Sequence, residues 1–130
     1  MPVKYTFEQN ILKMTFDGVY GSEAIIQSFN EALEDPAFPG ENARLLLDVR
    51  GSDSLADRSV EDLRKVAEHY ARNADRVGRR CAIVAQSDIH FGLMRMAVAF
   101  TETYDADARV FKSEDEAVDW LNKSPSITYE

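Results

Sequence analysis

Leu45-Leu46-Leu47-Asp48-Val49 and Cys81-Ala82-Ile83-Val84-Ala85 decide the fold. Each is a short, nearly continuous apolar run, the mark of a strand covered on both faces. Working back toward the N-terminus, the pattern changes. Val3, Tyr5 and Phe7 alternate with Lys4, Thr6 and Glu8, and Leu12, Met14 and Phe16 alternate with Lys13, Thr15 and Asp17. Period two predicts half-buried strands, and the Gln9-Asn10 connection is short enough only for an antiparallel hairpin. Asp17-Gly18 ends it. Between these strands lie helical patterns. Ser22 is read as the N-cap of a helix to about Asp35 with Ile25, Ile26, Phe29, Ala32 and Leu33 inward, stopped by Pro36, Pro39 and Gly40. Arg50 to Asp57 reads as a polar loop. A second helix is expected from about Val60 to Asp75, with Leu63, Val66, Ala67, Tyr70, Ala71 and Ala74 in phase.

After the second apolar run, Ser87-Asp88 caps a helix expected from about Ile89 to Tyr104. Ala108 to Phe111 is a short strand, and Ser113 with Glu116 has capping-box spacing for a last helix to about Leu121. The order predicts an α/β fold: an N-terminal β-hairpin, then alternating helices and strands in a mixed, mostly parallel sheet covered by helices. Residues 1–122 form one domain and 123–130, with Pro125, a loose tail.

The chain of 130 residues is 45% hydrophobic and 29% charged, an ordinary globular composition. Its net charge of −8 repels nucleic-acid backbones, so no nucleic-acid partner is expected. One cysteine, Cys81, precludes an internal disulfide, and the sequence opens without a leader and lacks a long apolar span; a cytoplasmic location is expected.

The chain resembles the SpoIIAA-like branch of the STAS domains. The resemblance rests on Gly92-Leu93-Met94-Arg95-Met96-Ala97 and on the closing run Val110-Phe111, Glu116-Ala117 and Trp120-Leu121. It implies the fold just described and two functional expectations. Anti-sigma-factor antagonists, similar in fold, carry Asp-hydrophobic-Ser-Gly after the first central strand and Asp-Ser-Ser-Gly at the next helix start, where a partner kinase phosphorylates a serine. Asp48-Val49-Arg50-Gly51 is similar to the first element. Asp57-Arg58-Ser59-Val60 stands at the second, where Arg58 and Val60 depart from the pattern. The resemblance to CRAL-TRIO lipid-binding domains implies an apolar ligand held under a mobile helix.

The segment from Ile89 to Tyr104 is the most informative for function. At about 100° per residue its apolar side chains sweep about 220°, twice the stripe a helix on a sheet needs. Phe91 and Val98 on one flank and Met96 on the other must be covered by a neighbouring helix, a second copy of the chain, an apolar ligand or a membrane surface. Methionines suit variable partners. The leading expectation is a non-enzymatic binding domain for an apolar or amphipathic ligand, a lipid or a membrane surface, with Phe91, Met94, Met96, Val98 and Phe100 as ligand-binding residues. Gly92, which weakens the helix, is either a lid hinge or a close-packing position.

The alternative is a protein-interaction regulator acting through residues 51–59, with Ser52, Ser54, Asp57 and Ser59 as its phosphorylation or partner loop. Ser59 and Asp62 also have N-capping spacing. Neither Gly-x-x-x-x-Gly-Lys-Ser/Thr nor Gly-x-Gly-x-x-Gly occurs, and Gly-x-Ser-x-Gly is missing. Cys81, His69 and His90 have no metal-ligand spacing, so neither metal nor cofactor is expected. His69 falls outside the apolar stripe of its helix and is expected in solvent.

Overall fold

The computed structural model describes residues 3–40, 43–53, 58–104 and 106–123. Strands β1 (Val3–Glu8) and β2 (Ile11–Gly18) form the hairpin, with Val3 opposite Phe16 and Glu8 opposite Ile11. Helix α1 (Ser22–Glu34) leads to β3 (Arg44–Ser52), and α2 (Val60–Arg72) with a short 3-10 turn (Ala74–Val77) leads to β4 (Arg80–Val84). Helix α3 (Asp88–Ala99) connects to β5 (Asp107–Phe111), and α4 (Glu114–Leu121) closes the chain. The sheet order is β1-β2-β3-β4-β5, antiparallel at the hairpin and parallel beyond it.

This order decides where the helices go. Each parallel strand lies next to its predecessor on the same side, so right-handed crossovers put α1, α2 and α3 on one face. Ile25 and Phe29 of α1, Leu63 and Tyr70 of α2 and Met94 of α3 accordingly share one core with Leu45, Val49, Cys81 and Ile83. The opposite face is left to α4, whose Ala117, Trp120 and Leu121 pack on Ile11, Leu46, Ala82 and Val84. Neighbouring residues of β3 and β4 thus enter different cores, which is why their sequences read as unbroken apolar runs.

Element ends differ from the sequence expectations for local reasons. Helix α1 is capped by Gly21, not Ser22, whose side chain is buried as the first helical residue. Strand β3 continues through Ser52, past the expected loop start at Arg50, because Gly51 and Ser52 stay paired with Asp17 and Gly18 of β2. Helix α2 stops at Arg72: the Asn73 side chain donates to the His69 carbonyl at 2.8 Å, and the chain tightens into the 3-10 turn. Gly78 then turns the chain at φ +68°, where an added Cβ would stand 2.6 Å from the Ala43 carbonyl oxygen, so only glycine fits there. Helix α3 ends at Ala99 rather than Tyr104. The Thr101 hydroxyl donates to the Val98 carbonyl at 2.7 Å and the Phe100 amide bonds the Ala97 carbonyl, closing a tighter turn in place of another helical one. His69 also departs from expectation: it bonds Asn30 at 2.9 Å and lies edge-on to Phe29 at 5.8 Å. The serine caps hold, with Ser59, Ser87 and Ser113 accepting from the amides of Asp62, His90 and Glu116.

Candidate functional site

A cavity of about 80 Å³ lies between α2, α3 and the sheet. Three of the surrounding elements contribute an alanine to its lining, Ala67 from α2, Ala97 from α3 and Ala108 from β5. Leu47, Val49, Cys81 and Ile83 form the sheet side, while Met94 and Val98 close it from α3. Two residues that carry hydroxyls, Thr101 and Tyr70, are among those lining this almost wholly apolar space. Thr101 already donates to Val98. Tyr70, 8% exposed, has a hydroxyl with no hydrogen-bond partner among the described residues. Burial pushes the Tyr70 phenol far above its usual range, with the nearby Cys81 thiol and Asp107 adding to the effect. Burial likewise raises the Cys81 thiol, leaving a small apolar wall residue rather than a nucleophile.

Arg58 closes one end. Its side chain is 5% exposed, lies 4.8 Å over the Tyr20 ring, donates to the Tyr20 carbonyl at 2.6 Å and stands 3.8 Å from Asp62. The Tyr20 hydroxyl in turn donates to Ser52 at 2.7 Å. The β2–α1 and β3–α2 connections are held together by this chain of contacts.

Of the α3 residues expected to bind ligand, Met94 and Val98 line the cavity and the other three do not. Phe91 lies beside a shallow groove between α3 and β5, with the Lys112 ammonium 5.4 Å from its ring. Met96 is 40% exposed. Phe100 packs at the margin of the core with the Arg64 guanidinium 5.9 Å from its ring. An added Cβ at Gly92 would meet nothing within 4 Å, so close packing does not explain that glycine. In the 51–59 segment, Ser52 is 4% exposed and bonded to Tyr20, and Ser59 is exposed while capping α2. Ser54 and Asp57 lie outside the described residues.

The other face of the sheet carries a polar cluster. Asp48 accepts from the Arg50 guanidinium at 2.8 and 2.9 Å, and Arg50 and Lys13 each reach Glu114 at 3.0 Å. Burial alone would raise the Asp48 carboxyl, but the Arg50 bonds and the Arg50 and Lys13 charges outweigh it and hold the group below its usual range. Each of these four groups is paired with another, so the cluster fastens α4 to β2 and β3 and offers no open position. Among the described residues, no group of three or more His, Cys, Asp and Glu could hold a metal ion.

A five-stranded mixed sheet with an N-terminal hairpin, three helices on one face and a fourth on the other defines the class as an α/β domain of the STAS type. The chain belongs to the SpoIIAA-like family, whose model matches residues 11–122. Among solved structures it is similar to an uncharacterised DUF3478-family protein with a SpoIIAA-like fold from Shewanella loihica PV-4, at 19% identity and a TM-score of 0.56, covering 92% of this chain and 91% of that one. That likeness concerns the fold. No curated protein matches the chain. Family and fold together go no further than a non-catalytic regulatory domain. Among the described residues, no helix is long and apolar enough to cross a membrane.

Proposed function

We propose that this protein is a non-enzymatic binding domain that takes a small, largely apolar ligand into the cavity beneath α3. The observation that supports this reading is the cavity itself, which has apolar walls in an interior that would ordinarily be close-packed. Its size narrows the ligand class. Pockets for drug-sized ligands occupy roughly 300–1,000 Å³, and a dry cavity of about 150 Å³ accepts benzene. A space of about 80 Å³ suits a smaller molecule and excludes a long acyl chain unless α3 moves. Native mass spectrometry of protein purified without detergent tests the reading. A retained small mass, lost on denaturation and absent from a folded Ala97→Leu variant whose added side chain fills the space, supports it. Equal retention by that variant counts against it.

A second reading, a protein-interaction regulator, is favoured by the exposure of Val19, Val60 and Ile89 at 74%, 53% and 67%. All three follow the C-terminal ends of neighbouring parallel strands, β2, β3 and β4. Ser59 is the described serine a kinase can reach in the folded 51–59 segment, because Ser52 is buried. Phosphate there would sit at the N-terminus of α2, where a negative charge is favoured. Phosphopeptide mapping of protein from its own host tests this: phosphate on Ser59 supports the reading, and its absence across growth conditions removes the kinase from it.

A further inference from the structure

We infer that the open edge of β1 is a self-association surface, on which a second copy of this chain pairs antiparallel with Thr6 opposite Thr6 on a two-fold axis. This goes beyond the ligand-binding reading and does not depend on it. Strands β1 and β5 are the outer strands of the sheet, and an outer strand presents a row of backbone donors and acceptors to a second chain. The hairpin fixes which residues of β1 do so. Gln9 and Asn10 alone connect β1 to β2, so Glu8 and Ile11 bond each other, and bonding alternates from there. Glu8, Thr6 and Lys4 bond inward to β2, while Phe7, Tyr5 and Val3 direct their amides and carbonyls outward. An antiparallel partner must set these outward residues against its own.

Few registers meet that condition, and the side chains choose among them. Lys4, Thr6 and Glu8 are exposed on one face of the strand. Pairing centred on Thr6 sets Lys4 against the partner's Glu8 and Glu8 against the partner's Lys4, joining unlike charges twice. On the opposite face it sets Tyr5 against the partner's Phe7 and the reverse, enlarging the edge-to-face contact these rings already make within one chain at 5.5 Å. Centring on Tyr5 or on Phe7 leaves the charges without their opposites, and centring on Lys4 opposes like charges, which is destabilising. The same two-fold operation separates the two edges of the sheet. Centred on its middle residue, β5 sets Arg109 against Arg109, and that guanidinium already lies 5.0 Å from the centre of the Trp120 ring and 3.5 Å from Asp107. Beside β1 there is open space, a groove of about 260 Å³ between the strand and α1, lined by Val3, Tyr5, Ala24 and Gln27.

Sedimentation equilibrium of the full-length chain, from micromolar concentration to about 1 mM, tests the inference on the wild type, Lys4→Glu, Glu8→Lys and the double exchange. Both positions are exposed and outside the two cores. The wild type is expected to show a monomer–dimer equilibrium in this range. Each single variant opposes like charges twice and should dissociate at about tenfold higher concentration. The double variant reverses both pairs and should return to near the wild-type value. An equimolar mixture of the two single variants is the sharpest sample. One is acidic at both positions and the other basic at both, so the mixture should dimerise more tightly than either variant alone. Amide exchange at Tyr5 and Phe7 needs no variant, and should be slower in concentrated than in dilute wild-type protein. A wild type that stays monomeric to about 1 mM, single variants that dissociate as the wild type does, a mixture no tighter than its components, or exchange at Tyr5 and Phe7 independent of concentration would each overturn the inference.

Discussion

Helices α3 and α4 cover opposite faces of the same sheet in opposite ways. Helix α4 has eight residues, half of them acidic, yet Ala117, Trp120 and Leu121 are 0%, 7% and 1% exposed. Helix α3 has twelve residues, most of them apolar, and only Met94 is buried. Apolar content therefore says little about how firmly a helix is seated. Three well-placed side chains fasten α4, with the Arg80 and Arg109 guanidinia 4.9 and 5.0 Å from the centre of the Trp120 ring and Glu114 tied to Lys13 and Arg50. Helix α3 spreads partial contacts over a broad face and leaves a cavity beneath it.

The contrast predicts unequal costs of truncation. Trp120→Ala should destabilise the domain most, by about 3–5 kcal/mol, because it removes the main anchor of α4 and strips two arginines of their aromatic platform. Met94→Ala should cost less, about 2 kcal/mol, at the low end for buried large-to-small changes, since its side chain already borders empty space. Chemical denaturation of both variants checks the pair. A Met94→Ala loss equal to that of Trp120→Ala would break the comparison and make α3 as firm an anchor as α4.

Much of this architecture was legible in the sequence, because each legible feature is local. The period-two hairpin, the unbroken runs at Leu45 and Cys81, and the Ser59, Ser87 and Ser113 caps depend on residues a few positions apart. The cavity is not local. Its lining brings together Ala67, Ala97 and Ala108 from three different elements, and an alanine in an apolar stripe gives no sign of what stands opposite. Helical period places Phe91, Met94, Met96, Val98 and Phe100 on one broad arc but cannot rank them by depth. That ranking depends on how closely α2 and β5 approach, and it separates Met94 and Val98 from the rest. Tyr70 read as one more stripe residue, since its phase reports the ring and not the missing partner of its hydroxyl. His69 was misplaced for the converse reason: it lies off the α2 stripe, but α1 comes close enough for Asn30 and Phe29 to receive it.

Two smaller effects sharpen the comparison further. Gly92 lies inside α3 with open space where a Cβ would go, so Gly92→Ala should stabilise the domain by up to about 1 kcal/mol through helix propensity alone. If α3 must lift for a ligand to enter, the same variant should also slow uptake, measurable as a lower association rate for a small apolar probe such as xenon. Stabilisation with unchanged kinetics would leave the helix as a fixed wall. The smallest effect belongs to the exposed residues of α3. Ile89 is 67% exposed and Met96 40%, so Ile89→Gln and Met96→Gln should each change stability by no more than about 0.5 kcal/mol. A loss well beyond that in a variant that stays monomeric would mean that α3 is seated more deeply than its exposure indicates. A loss that appears only at concentrations where the wild type self-associates would instead assign this flank to contact between two copies of the chain, separating the outer face of α3 from the ligand chemistry beneath it.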